Sequence, residues 1–209
     1  MNRMMLYILA LIVAVVMAVI LKFIFAIPIW VTITIFVIVF AIRAVYNLYM
    51  TYKSKDLARL SRFLEKSSNT LNYYFFTQKS GSFEEQTKAL GDVLATYSSQ
   101  IVQGQYKAHQ MILKKNYQQA VSHAKSIPNT AMRDETLGFV EAVLGKRSAA
   151  EQLARGKASY KHFILAIVAY RAKDMDAFNQ HKTKCLNNCA GVQYFSYTYI
   201  LERINEYVK

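Results

Sequence analysis

His181, Cys185 and Cys189 are the residues whose types and spacing come nearest to a metal site. Soft thiolates and an imidazole are good zinc or copper ligands. At i, i+4 and i+8 all three fall along one face of a helix. That same helix separates the outer pair by about 12 Å at 1.5 Å rise per residue, too far for one ion. Two neighbours would need ligands from elsewhere, and His109, His123 and His162 are scattered along the chain. The pattern predicts a packed or half-exposed cysteine stripe with no metal, and the spacing disfavours a Cys185–Cys189 disulfide.

Acid–base chemistry has little to stand on. Glu84-Glu85 and Asp134-Glu135 are adjacent pairs at predicted helix starts, where carboxylates favour the positive end of the helix dipole. The chain contains no Gly-x-Ser-x-Gly, no phosphate-cradling glycine loop and no His-Glu-x-x-His. We therefore expect a protein that is not an enzyme, with no catalytic residue and no cofactor.

Positive charge is the remaining signal. The formal net charge is +13, and residues 101–190 hold 14 Lys/Arg against six Asp/Glu. Lys114-Lys115, Lys146-Arg147 and Arg171 with Lys173 fall at successive predicted turns. A second group, Lys53, Lys55, Arg59, Arg62 and Lys66, surrounds an apolar stripe of Leu57, Leu60, Phe63 and Leu64. Basic side chains beside a cytoplasmic leaflet are drawn to anionic lipid by roughly 1 kcal/mol each. Packing of this helix on the rest of the protein is the other reading of the same pattern. The run Tyr73–Phe76 fits core packing better than base stacking.

The elements that must carry these groups divide sharply in composition. Met4–Ile42 has one charged side chain, Lys22, in 39 residues. A bilayer needs about 20 apolar residues per helix. Met4–Ala26 and Ile29–Asn47 each qualify, with Pro28 between them to disfavour one unbroken helix. We expect a transmembrane helical hairpin over residues 1–48, with Trp30 at one interface, Tyr46, Tyr49 and Tyr52 at the other, and Lys22 snorkelling near the bend. The first segment is too long, and its Ala26-Ile27-Pro28 surroundings too bulky, for a cleaved signal peptide. Cations flank the outer ends of the spans, so both termini are expected in the cytoplasm of a bacterial-type inner membrane. Two cysteines in the chain agree with a reducing compartment.

A basic juxtamembrane helix is expected over 49–68 and an all-α domain over 69–209. Within that domain four segments share a turn-like opening before a new helix. They are Gly81–Gln86, Lys115–Ala120, Gly145–Ala150 and Lys173–Ala177, aligned at Phe83, Tyr117, Arg147 and Met175 with spacings of 34, 30 and 28. Over residues 70–185 this pattern resembles the tetratricopeptide repeat, a 34-residue helix–turn–helix unit. Tyr117 with Ala120 matches its turn, and Leu137-Gly138 and Leu165-Ala166 match the small position where two helices cross. Arg147 and Met175 depart from the turn aromatic, and Gln86 departs from the small residue. The resemblance implies stacked α-hairpins sharing one core and offering a surface to peptides or partner helices. An irregular helical bundle is the alternative. The last stretch, Tyr194–Val208, is expected to be a capping helix with Tyr194, Tyr197, Ile200, Leu201, Ile204 and Val208 inward, and Glu202, Arg203 and Glu206 outward.

The function expected from these features is a membrane-anchored cytoplasmic scaffold for protein–protein interaction. Its partners are the bilayer and an acidic protein, contacted through Lys53, Lys55, Arg59, Arg62, Lys114, Lys115, Lys146, Arg147, Arg171 and Lys173. Two rivals stand beside it: a basic surface module for anionic lipid, with nucleic acid ranked last, and an accessory or immunity-type protein acting through its hairpin.

Overall fold

The computed structural model describes residues 28–208 together with Val13 and Val16. Lys22 and the first apolar segment therefore lie outside the described residues. Those described are all helical, with no strand among them. The chain divides into two units, residues 1–49 and 50–209.

In the first unit, residues 29–49 belong to α1 (Ile29–Tyr52), whose first backbone bonds go to the Pro28 carbonyl. The stretch Trp30–Tyr52 is long and apolar enough to cross a membrane, with a mean hydropathy of 2.1. Among the described residues it is the one such helix. Trp30, Ile33, Ile38, Phe40 and Ile42 are all more than half exposed.

The second unit begins with the last turn of α1. After a break at Lys53–Asp56 come α2 (Leu57–Glu65), α3 (Thr70–Ser80), α4 (Phe83–Thr96), α5 (Gln100–Leu113) and α6 (Tyr117–Lys125). Then follow α7 (Thr130–Val143), α8 (Arg147–Leu153), α9 (Ala158–Arg171), α10 (Met175–Asn187), α11 (Gly191–Glu202) and the single turn α12 (Ile204–Tyr207). The four aligned positions Phe83, Tyr117, Arg147 and Met175 are the first residues of α4, α6, α8 and α10. Each of these helices packs on its predecessor, and α5, α7 and α9 also touch one another in series.

Three of the four connecting turns are the same object. Lys115, Gly145 and Lys173 take left-handed backbone angles, φ +58°, +78° and +61°. At each, its own N–H returns to the carbonyl three residues back, Ile112, Ala142 or Tyr170. The next N–H, from Asn116, Lys146 or Asp174, returns to Met111, Glu141 or Ala169. This pair of bonds satisfies the last carbonyls of the incoming helix. The residue making the second bond then caps the outgoing helix: Asn116 accepts from Gln119 N–H and Asp174 from Ala177 N–H. Lys146 has no side chain able to do so, and α8, which it opens, has only 7 residues. The first turn differs, with Gly81 extended and a reciprocal Ser82–Glu85 capping box.

Small residues sit where helices approach. A Cβ on Gly138 would overlap the Tyr160 hydroxyl and press on Leu153, and Ala166 at the matching place is fully buried.

Two sequence expectations need correction. The C-terminal helix does not cap one end of the array: α11 touches α2 and α3 at the start as well as α9 and α10 near the end. Its buried residues, Val192, Phe195, Ser196, Thr198, Ile200 and Leu201, lie all round the helix, as befits a central rod. Arg203 does not face outward either. It interrupts the helix, and its guanidinium donates to the carbonyls of Gln78 (3.1 Å) and Gly81 (2.8 Å) while pairing with Glu206 (2.7 Å).

Around that clamp the end of the chain fastens to its first turns. The buried Gln86 amide donates to the Gly81 carbonyl and accepts from the Tyr207 hydroxyl, which explains a polar residue at a position expected to be small. Lys115 reaches the Glu206 carbonyl at 2.6 Å. At the other edge Gly191, at φ +63°, donates to the Ser54 carbonyl, and a Cβ there would overlap the Thr51 carbonyl. Beside it Met50, Leu60, Leu64, Val192 and Phe195 form a second small core. The basic helix α2 is thus packed on the body, with Arg59 and Arg62 left exposed.

Candidate functional site

Where α11 crosses in front of α3, α5, α7 and α9, the helices leave a cleft of about 910 Å³. Its wall runs from Thr51 and Tyr52 through Leu71, Gln78, Tyr106, His109, Phe139 and Phe163 to Tyr197 and Ile200. The deep part is aromatic. Phe163 and Tyr197 stack at 4.1 Å with planes 10° apart, and His109 sits edge-on to Tyr106 and Phe139 at 5.9 and 5.3 Å.

Electrostatically the deep wall is neutral. Burial lowers His109 to about 4, so its imidazole is uncharged at neutral pH. Burial likewise raises the phenols of Tyr106, Tyr160 and Tyr197, and Tyr74 to about 12. The Tyr74 hydroxyl lies 3.3 Å from His109 Nδ1. With Tyr74 as the donor, the neutral imidazole carries its proton on Nε2. Gln78 is 1% exposed, and its Oε1 has no hydrogen-bond partner. Charges in the wall belong to Lys55, Glu135 and Lys157. Lys55 donates to the Asn187 and Leu186 carbonyls at the end of α10, at 2.9 and 3.3 Å.

The cations predicted to form a ridge do fall at equivalent turns, but most are occupied by the protein itself. Lys146 pairs with the buried Glu141 at 3.1 Å, and Arg147 with Glu151 at 2.8 Å. The Arg171 guanidinium reaches back to the Val143 carbonyl, the last residue of α7. Lys115 holds Glu206 and lies over the Phe83 ring. Lys114 and Lys173 are exposed at the left-handed turns. In the α2 region Lys53, Arg59 and Arg62 are exposed, Arg59 with an Asp56 partner at 3.1 Å.

Cys185 and Cys189 are both buried and free. The Cys185 thiol donates toward Cys189, which together with burial holds it far above the ordinary thiol range. His181 leaves this stripe for another partner: His162, on the preceding helix, stacks on it with the two Nδ1 atoms 3.1 Å apart. The two histidines are 19 residues apart, so their spacing in the sequence does not pair them. Only the turn between α9 and α10 brings them together. Among the described residues no three metal-ligating side chains converge.

No protein-family model, curated protein or solved structure matches this chain. What it does must be argued from the cleft, the turns and the apolar helix.

Proposed function

We propose that the protein is a membrane-anchored helical-repeat scaffold that holds a protein partner at the cytoplasmic face. The observation that carries this reading is the recurrence of one turn geometry at Lys115, Gly145 and Lys173. A chain that repeats the same helix–turn–helix join is building a regular array, and we read its four helix pairs as tetratricopeptide-like units. Such arrays are usually binding surfaces rather than catalysts. The anchor is the exposed apolar stretch Trp30–Tyr52, continued in our reading by the preceding apolar segment as a two-span hairpin with both termini cytoplasmic. An acidic partner fits the exposed Lys114 and Lys173, which project from equivalent turns.

The test is affinity capture from gently solubilised membranes with the full chain and with a Lys114→Glu/Lys173→Glu variant. A partner retained by the first and lost by the second supports the reading. Equal capture by both removes the turns from it.

A second reading has its own support. Lys53, Arg59 and Arg62 are exposed directly after the apolar helix, where anionic headgroups would meet them. Vesicle binding that weakens between low and moderate salt favours this role, because phosphate attraction is screened.

A further inference from the structure

We propose that the cleft behind α11 is a binding site for a small neutral molecule: a flat ring bearing an O–H or N–H donor. This goes beyond the scaffold reading and does not depend on it. The cleft's volume of about 910 Å³ lies within the range of roughly 300–1,000 Å³ usual for small-molecule sites.

The wall states what the ligand must supply. Gln78 Oε1 is a buried acceptor with no partner among the described residues, and a buried acceptor left unmade is costly. Tyr74 lies one helical turn before Gln78 on α3. Tyr74 in turn faces His109 Nδ1 at 3.3 Å. The row Gln78, Tyr74 and His109 thus has an unpaired acceptor at one end and, with Tyr74 donating to Nδ1, an Nε2–H donor at the other. A ligand donor completes the first, and a ring heteroatom or carbonyl can meet the second.

Shape and charge narrow the class further. Phe139, Phe163 and Tyr197 offer ring faces and edges for a flat body. The aromatic stretch of the wall, Tyr106, Phe139, Phe163 and Tyr197 with the neutral His109, carries no charge, so an ionised ligand lying against it would surrender its hydration without an opposite charge to meet. Lys55 is turned to the end of α10, and the charge of Lys157 favours the ionised Glu135 against the effect of its burial.

Three matched probes test this on the full-length protein in detergent: phenol, toluene and benzoate, each titrated while ligand-observed NMR and thermal unfolding are followed. Phenol should bind about tenfold more tightly than toluene, the factor one net hydrogen bond supplies. Benzoate should bind worse than either. Gln78→Leu should erase the phenol preference while leaving toluene binding unchanged. His109→Phe is the second variant; it leaves the Tyr74 hydroxyl without its Nδ1 partner and free to compete with phenol for the Gln78 oxygen one turn away, and should cut the phenol preference at least threefold. Equal affinity for phenol and toluene in the natural protein overturns the proposal, as does benzoate matching phenol. Retention of the full phenol preference in Gln78→Leu, or in His109→Phe should the first variant not fold, also overturns it.

Discussion

In α1, Ile33, Ile42 and Val45 are 55%, 64% and 66% exposed, whereas Ile164, Ile167 and Val143 in the body are fully buried. These are the same kinds of side chain under opposite conditions. In the body each apolar stripe finds another helix, and polar groups around it are capped, clamped or paired. In α1 the apolar residues lie all round the helix and lead nowhere within residues 28–49. Burial of such side chains is worth about 1.5–3 kcal/mol each, so a helix that exposes a dozen of them in water is out of its solvent. The contrast sets a candidate membrane span, Trp30–Tyr52, beside a body that buries its own stripes, and the predictions probe it from each side.

The largest effect should come from Ile38→Asp in α1. On the insertion scale this exchange costs about 3–4 kcal/mol at a helix centre. Membrane insertion of residues 28–52 placed in a host protein should fall accordingly, while urea unfolding of the body stays unchanged. Unaltered insertion would place α1 among soluble helices.

Gly191→Ala should act in the opposite place. Position 191 combines a left-handed backbone with a Cβ that would overlap the Thr51 carbonyl. The body should lose about 3 kcal/mol by denaturant unfolding, with membrane association unaffected. A loss below about 1 kcal/mol would mean that the junction between residues 51–54 and α11 is loose.

A third difference concerns pH. His109 is lowered from 6.5 to about 4 in the folded protein, so the unfolded chain binds its proton more readily. Its contribution is complete above pH 6.5 and is lost as pH falls toward 4, by roughly 3 kcal/mol. His162 and His181 are also lowered and add the same sign, whereas Glu135, raised by burial, opposes it. Comparing unfolding of the natural protein and His109→Phe between pH 7 and pH 4 isolates the one group. Parallel pH profiles would show that water reaches the imidazole freely.

The smallest effect is a gain. Lys173 holds φ +61° without the contacts that occupy Lys115, and a side chain in this region costs about 1 kcal/mol. Lys173→Gly should raise the unfolding midpoint slightly, by somewhat less than that amount because glycine also frees the unfolded chain. If the partner reading is right, the same variant weakens capture.

What could be read from the sequence follows the range of each interaction. The turns at 83, 117, 147 and 175 were legible because each joins its two helices within a few neighbouring residues. The apolar stripe of α2 was legible for the same reason, but the break at Lys53–Asp56, which divides the helix expected over 49–68, was not. Arg203 was misplaced because periodicity puts it outward, and only the Gln78 and Gly81 carbonyls, more than 120 residues away, draw it in. Gln86 looked like a departure until Tyr207 supplied its partner. The cleft was invisible, since its wall is gathered from seven helices and its unpaired Gln78 oxygen is a fact of assembly. The expected ridge named the right turns, but a charge count cannot distinguish Lys146, held by Glu141, from the exposed Lys173.

Protease protection in sealed vesicles tests the central claim most directly, that an oily helix tethers a clasped helical body on the cytoplasmic side. In right-side-out vesicles the carboxyl-terminal body should survive added protease, and in inside-out vesicles it should be released as a soluble, folded fragment. Digestion of the body in intact right-side-out vesicles, or recovery of the untreated chain from the aqueous phase without detergent, would contradict the account.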